Sequence, residues 1–193
     1  MTRFDLMRSY STDEKCRALL EKLRWPGGPE CPRCKGRTIT RINGKTLLCS
    51  PCQYQFSVTA GTIFNDSHLP LEKWFVSVLL ICEARKGISA NELKRTVGIS
   101  YKTAWYLCHR IRAAMGAAGA PRPGRDGKRR RRAKKEIVRG IADTWHAPSA
   151  KHLPAYIGEI EFRSNRRKRS DLFVDTLRLM VTANPLTFEN LTK

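Results

Sequence analysis

Cys31 and Cys34, followed by Cys49 and Cys52, set out two C-x-x-C pairs across a short basic segment. Each pair puts two thiolates within reach of one ion, and two pairs at this spacing make a tetrahedral zinc site. Four thiolates close the coordination shell and leave no position for water, so the expected zinc is structural rather than catalytic. Two disulfides in a secreted domain are the competing reading. Pro32 stiffens the first turn, Gly36 lets the chain reverse behind it, and Cys49-Ser50-Pro51-Cys52 repeats the logic.

To bring the pairs together, the chain between them must double back. Thr38-Ile39-Thr40-Arg41 and Lys45-Thr46-Leu47-Leu48 flank Asn43-Gly44, the favoured two-residue hairpin signal. From Gln53 to Val58 polar and apolar residues alternate, predicting a strand with Tyr54, Phe56 and Val58 facing a small core. Upstream, Ser11 and Glu14 have capping-box spacing and open a helix to about Leu23, with Cys16, Leu19, Leu20 and Leu23 on one face. Gly61 to Pro70 reads as a connector carrying Phe64 and His68; His68 is a loop histidine, because the cysteines already fill the shell.

The next segment is helical. Leu71, Trp74, Phe75, Val78, Leu79 and Cys82 follow the i, i+3, i+4, i+7 pattern of a buried face. Ser89 and Glu92 form a second capping box, starting a short helix with Leu93 and Val97 inward. Gly98-Ile99-Ser100 makes a tight turn, and Ser100 caps a third helix to about Met115. Two short helices joined by such a turn match a helix-turn-helix, whose second helix enters the major groove. Tyr101, Lys102, Thr103 and Tyr106 occupy its first turns; Lys102 suits guanine or phosphate, Thr103 a base or thymine methyl. Arg110 and Arg112, near the other end, are expected to hold DNA backbone or pack outward. A helix pair used only for packing is the plainer alternative.

The 193-residue chain carries 37 basic and 17 acidic side chains, a net charge of +20. That excess favours a polyanion, because each lysine or arginine meeting a phosphate releases a condensed counterion. The densest run, Lys128 to Lys135, includes Arg129, Arg130, Arg131 and Arg132 and follows Pro121, Pro123, Gly124 and Gly127. It reads as a linker, solvated or acting as a phosphate clamp blind to base sequence. No apolar run approaches the roughly 20 residues that span a bilayer, and the N-terminus lacks a signal-peptide stretch. Seven cysteines, with Cys16, Cys82 and Cys108 outside the pairs, fit a reducing compartment. A cytoplasmic, nucleoid-associated bacterial protein with no membrane partner is the expectation.

Several blocks, in order, resemble the N-terminal half of IS1595-family (ISXO2-like) insertion-sequence transposases. They are Cys31-Pro32-Arg33-Cys34, the Cys49–Cys52 knuckle, Phe56 to Phe64, Leu69 to Trp74, Gly87 to Leu93 and Ser100 to Trp105. Ser149 to Tyr156 and Glu161 to Arg167 resemble the family's far C-terminus. The resemblance implies DNA transposition by an RNase H-like core, whose acids hold two Mg²⁺ ions for strand cleavage and joining. Such a core needs about 100 residues or more. Here the stretch from Gly116 to Lys135 stands where the family has most of it. Asp126, Glu136 and Asp143 are the acids nearby, and alignment puts the family's last catalytic glutamate near Arg131. No catalytic residue is carried over, and Mg²⁺ is expected only if an active site exists.

Beyond the linker, a helix from Pro148 to about Asn165 turns Leu153, Tyr156, Ile157 and Ile160 inward, with Phe162 near its end. A second, Asp171 to about Thr182, shows Leu172, Phe173, Leu177 and Met180. Without the family's sheet these apolar faces must find another surface, such as the helix-turn-helix, or remain poorly packed. His146 and His152 are read as surface positions.

The expected fold is mainly α with a small β zinc ribbon. Its parts are an N-terminal helix (1–28), the ribbon (29–66), a helix-turn-helix region (69–116), a basic linker replacing the catalytic core (117–137) and a helical remnant (138–193). The expected function is binding of DNA at inverted-repeat element ends without cutting, in company with intact transposase or a second copy. A transcription regulator built from the same parts, or an active DDE transposase with an unrecognised acid set, are the alternatives.

Overall fold

The computed structural model describes residues 3–84, 86–117, 135, 138–145, 148–166 and 171–192. The basic run from Lys128 to Lys134, with Arg129 to Arg132, and the acids Asp126 and Glu136 lie outside the described residues, as does His146.

After α1 (Arg3–Ser9), α2 (Asp13–Arg24) starts at Thr12, whose hydroxyl accepts from the Lys15 amide at 3.3 Å. The cap is therefore one residue later than the Ser11–Glu14 spacing implies; Thr12 holds the extended backbone that a cap requires. Cys16 and Leu20 are buried on its inner face. The chain then builds a three-stranded antiparallel sheet, β1 (Ile39–Arg41), β2 (Leu47–Cys49) and β3 (Gln55–Phe56), in the order β1-β2-β3. Arg41 faces Leu47 and Ile39 faces Cys49, while Leu47 also faces Phe56.

The hairpin is present, but its loop differs from the two-residue turn. The Ile42 amide donates to the Thr46 carbonyl at 3.0 Å, and Asn43 Oδ1 accepts from the Lys45 and Thr46 amides at 2.9 and 2.8 Å. Asparagine thus closes the turn with its side chain, the Asx mechanism, and three residues lie between the paired positions. The third strand is also shorter than the alternation predicts. Phe56 is buried, Val58 belongs to the larger core, and Tyr54 lies exposed, stacked on Phe56 at 6.1 Å.

Helices form the centre. α3 (Leu71–Glu83) buries Leu71, Trp74, Phe75, Val78 and Leu79, as its periodicity predicts. α4 (Ala90–Val97) is capped by Ser89, whose hydroxyl accepts from the Glu92 amide. α5 (Tyr101–Ala117) follows after Gly98-Ile99-Ser100, and Ser100 Oγ accepts from the Thr103 amide at 3.1 Å. Past a π-helical turn (Ile141–Trp145) come α6 (Leu153–Arg166), α7 (Leu172–Thr182) and the short α8 (Phe188–Thr192). Residues 148–152, expected as the first turn of α6, form a lead-in, and the helix proper begins at Leu153.

The apolar faces of the C-terminal helices do find another surface. Phe162 of α6 and Phe173, Leu177, Met180 and Val181 of α7 share one core with α2, α3 and α5. Phe173 meets Phe75 edge-on at 5.7 Å, and the Ile63 amide donates to the Met180 carbonyl at 3.2 Å. Phe64, placed by sequence in a connector, is 2% exposed and packs on Trp74 at 4.9 Å. The ribbon keeps a smaller core of Cys31, Leu47, Cys49 and Phe56, bridged to the helices by Trp25.

Gly98 ends α4 at φ +66, and a Cβ placed there would meet open space. Gly98→Ala should therefore cost only the backbone penalty, about 1 kcal/mol, read as a lower urea midpoint with unchanged slope.

Candidate functional site

The two C-x-x-C turns are built alike. In the first, the Lys35 amide donates to the Cys31 carbonyl at 2.9 Å and the Cys31 amide to the Gly36 carbonyl at 3.0 Å. In the second, the Gln53 amide donates to the Cys49 carbonyl at 2.8 Å and the Cys49 amide to the Tyr54 carbonyl at 3.0 Å. Lys35 and Gln53, each directly after the second cysteine of its pair, both take left-handed backbone, φ 61 and 54. β2 then carries Cys49 while the loop ahead of β1 carries Cys31, so sheet pairing folds one turn over the other.

All four sulfurs lie within 4.8 Å of one another. Cys31 Sγ is 3.7 Å from Cys52 Sγ, and Cys34 Sγ is 3.4 Å from Cys49 Sγ. A Zn–S bond of about 2.3 Å in tetrahedral geometry puts neighbouring sulfurs about 3.8 Å apart, so the donor set fits zinc and the S–S distances are far too long for disulfides. A Cβ on Gly36 would stand 3.2 Å from Cys34 Sγ and 3.5 Å from Cys49 Sγ. A side chain at position 36 would crowd the cluster by a few tenths of an ångström. Burial raises the Cys31 thiol, but amides of Cys34 and Arg33 and the neighbouring thiols bring it down to about 7. Burial pushes Cys49 up to about 12 against the lowering effect of the Cys52 amide. Among the described residues, no other group of three or more His, Cys, Asp or Glu side chains is gathered at metal-binding distance.

The ribbon is anchored on α2. Arg41 pairs with Glu21 at 2.7 Å, the Arg24 guanidinium donates to the Val58 carbonyl at 2.6 Å, and Trp25 meets Phe56 edge-on at 5.9 Å.

The residues assigned to DNA from sequence separate into two sets. Tyr101 is half exposed and Lys102 is exposed at the start of α5, where Lys102 Nζ stands 5.0 Å from the Phe188 ring. Thr103 is half-buried, its hydroxyl 2.8 Å from Ser100 Oγ. Tyr106 is half-buried and donates its hydroxyl to the Leu186 carbonyl at 2.6 Å. Arg110 is 2% exposed, donates to the Asn65 carbonyl at 2.6 Å and lies over Trp74 and Tyr106. Burial lowers its pKa.

Arg112 does not pack outward either. Its Nε donates to Glu159 Oε2 at 2.7 Å, and its guanidinium lies 4.1 Å over the Tyr156 ring. Arg163 completes the cluster at 3.0 Å from Glu159 Oε1, and all three side chains are buried. Nothing in the sequence pattern singles out this Arg112–Glu159–Arg163 group, which fixes α5 to α6. The Glu159–Arg163 spacing of four on one helix is the available sign, but Arg112 lies 47 positions away. Asp143, the one nearby acid among the described residues, is exposed and pairs with Lys86 at 3.2 Å. His152 is half-buried rather than at the surface, packed against His109 at 4.5 Å and meeting Trp105 at 5.5 Å.

A ribbon of this geometry, docked on a capped helix, defines the class. Residues 11–55 match the family model described as a transposase zinc-ribbon domain of the IS1595 type, a match that begins in the turn before α2 and takes in that helix. A Halobacterium salinarum protein, described as an uncharacterized protein in transposable element ISH50, is 29% identical over 125 residues. That match covers 63% of this chain and 41% of the relative, so the chain aligns with about two-fifths of the relative's length. No solved structure matches. The chain thus carries a region similar to a transposase zinc-ribbon domain and resembles, over part of its length, a protein of a transposable element. Both matches support an IS1595-family, transposase-like assignment. No helix of the described residues is long and apolar enough to cross a membrane.

Proposed function

We propose that this protein binds DNA at the ends of an insertion element, reading bases with the first turn of α5 as the second helix of a helix-turn-helix, and does not cut. One observation carries the reading. α5 is buried along its body at Ala104, Leu107, Cys108, Ile111 and Met115, yet presents Tyr101 and Lys102 to solvent at its N-terminal end. A rigidly seated helix offering only its first turn is what major-groove reading requires. The net charge of +20 supplies the attraction to phosphate.

Base contacts fall to Tyr101 and Lys102, while Thr103, whose hydroxyl is held by Ser100 Oγ, offers a base only its methyl group. Tyr106 and Arg110 hold α5 in place instead, because their polar groups are committed to Leu186 and Asn65. The zinc held by the four cysteines keeps the ribbon folded beside α2, and Arg129 to Arg132 act as a phosphate clamp. The absence of cutting rests on the basic stretch standing where the family's acids belong and on Asp143 being tied to Lys86.

Lys102→Ala should weaken binding to an element-end duplex by about 1–3 kcal/mol at fixed salt, measured by fluorescence anisotropy. A loss on element-end DNA that exceeds the loss on scrambled DNA marks base reading, whereas an unchanged affinity removes α5 from the interface.

A further inference from the structure

Beside the exposed first turn of α5 lies a cleft of about 510 Å³, between the start of α4, the π-helical turn and the start of α6. Tyr101, Trp105, Trp145, His152 and Tyr156 bring aromatic rings to its wall, and Asn91 and Arg95 stand at its polar side. The rings are held by one another: Trp145 meets Tyr156 at 4.7 Å, and Trp105 meets His152 edge-on at 5.5 Å. Trp145 is further pinned by donation of Nε1 to the Ile88 carbonyl at 3.1 Å. Behind the wall, His109 is 1% exposed and packs on Trp105, His152 and Tyr156. Its Nε2 has no hydrogen-bond partner among the described residues. Burial, then Arg112 and His152, lower its pKa to about 3, so the ring stays neutral.

Such a lining is unusual for packing alone. A core would enclose the rings, yet Trp105, Trp145, His152 and Tyr156 are all only half-buried. The volume falls within the range of small-ligand sites, about 300–1,000 Å³, and admits one flat heterocycle rather than a duplex. Planar rings stack on nucleobases of any sequence, while an asparagine amide and a guanidinium can read a base edge or hold its phosphate. Tyr101 belongs to both surfaces, at the tip of α5 and at the mouth of the cleft.

We propose that this cleft takes one unstacked nucleobase from the DNA strand that α5 contacts. It is a single-strand site adjoining the duplex site, so the protein prefers DNA whose end is open or distorted. The proposal rests on the reading that α5 meets DNA.

The test compares a blunt duplex with the same duplex carrying a short single-stranded overhang containing 2-aminopurine, using the full-length, zinc-loaded chain at fixed salt. The overhang is expected to tighten binding about tenfold. Quenching of the 2-aminopurine emission on binding, beyond that of free DNA, reports stacking on the indoles. Trp105→Ala should abolish the gain and the quenching while blunt-duplex affinity stays the same, and Trp105→Phe should restore part of both. Equal urea midpoints for Trp105→Phe and the native chain keep the comparison valid if the alanine variant is poorly folded. Equal affinity for blunt and overhanging DNA overturns the proposal, as does a gain that both Trp105 variants keep in full. Binding of a free nucleoside monophosphate without any overhang gain also overturns it. Failure to bind either duplex would strike the proposed function instead.

Discussion

Cys49→Ser is expected to strip the zinc and unfold the ribbon while leaving the helical core standing. Cys49 is fully buried and sits in β2 opposite Ile39, so its sulfur is held by the sheet as well as by the cluster. A serine hydroxyl is a poor substitute for a thiolate. Without the fourth ligand, only Cys31, Leu47 and Phe56 of the ribbon's small core and its contacts to α2 remain to order it. Structural zinc contributes about 10–16 kcal/mol of apparent binding free energy in small zinc-finger peptides, and there that energy is the folding energy. The helices have a separate core and should persist. Native mass spectrometry should therefore show one zinc lost per chain. Amide exchange should quicken at Leu47 and Phe56 but not at Leu107 or Ile111. A variant that retains one equivalent of zinc at undiminished affinity would contradict the role of Cys49 as a ligand.

Glu159→Ala should be the most damaging substitution in the helical part. The carboxylate stands between Arg112 and Arg163 at 2.7 and 3.0 Å, and it is fully buried. Removing it takes from two buried guanidiniums the carboxylate that they share. Breaking a buried ion group by deleting one partner costs about 3–5 kcal/mol, a large share of the stability of an ordinary domain. The backbone contacts of Arg112 to Ile88 and of Arg163 to Ala84 compensate only in part. Because Arg112 belongs to α5 and Glu159 to α6, the loss should also loosen the helix assigned to DNA. Glu159→Gln keeps an acceptor and should cost less. Urea unfolding reads both, and a midpoint unchanged in the alanine variant would contradict the role given to this cluster.

What is legible in the sequence depends on how local the physics is. Cysteine spacing, the Ser89 cap, the turn at Gly98 and the apolar face of α3 are each decided within a few residues, and each is found where the pattern puts it. The Asn43 turn differs in kind because the dipeptide favours two solutions, and here the asparagine side chain captures the amides. Tyr54 departs from its expected core position because β3 spans only two residues, so strict alternation has no sheet to act on. Arg110 and Arg112 escape the sequence pattern for a different reason. Arginine on a helix reads as surface unless its partners are known, and those partners, the Asn65 carbonyl and Glu159, lie 45 and 47 positions away. The aromatic cleft is invisible for the same cause: periodicity in α4 points to Leu93 and Val97, while Asn91 and Arg95 gain meaning only beside Trp145 and His152.

If a zinc-tied ribbon and the exposed tip of α5 select DNA from an element's ends, the zinc-loaded chain must bind terminal inverted-repeat DNA more tightly than a scrambled duplex of equal length at one fixed salt concentration. The predicted ratio is at least about a thousandfold in favour of the repeat, the lower bound for sequence-specific DNA binding. Equal affinities for the two duplexes would contradict it.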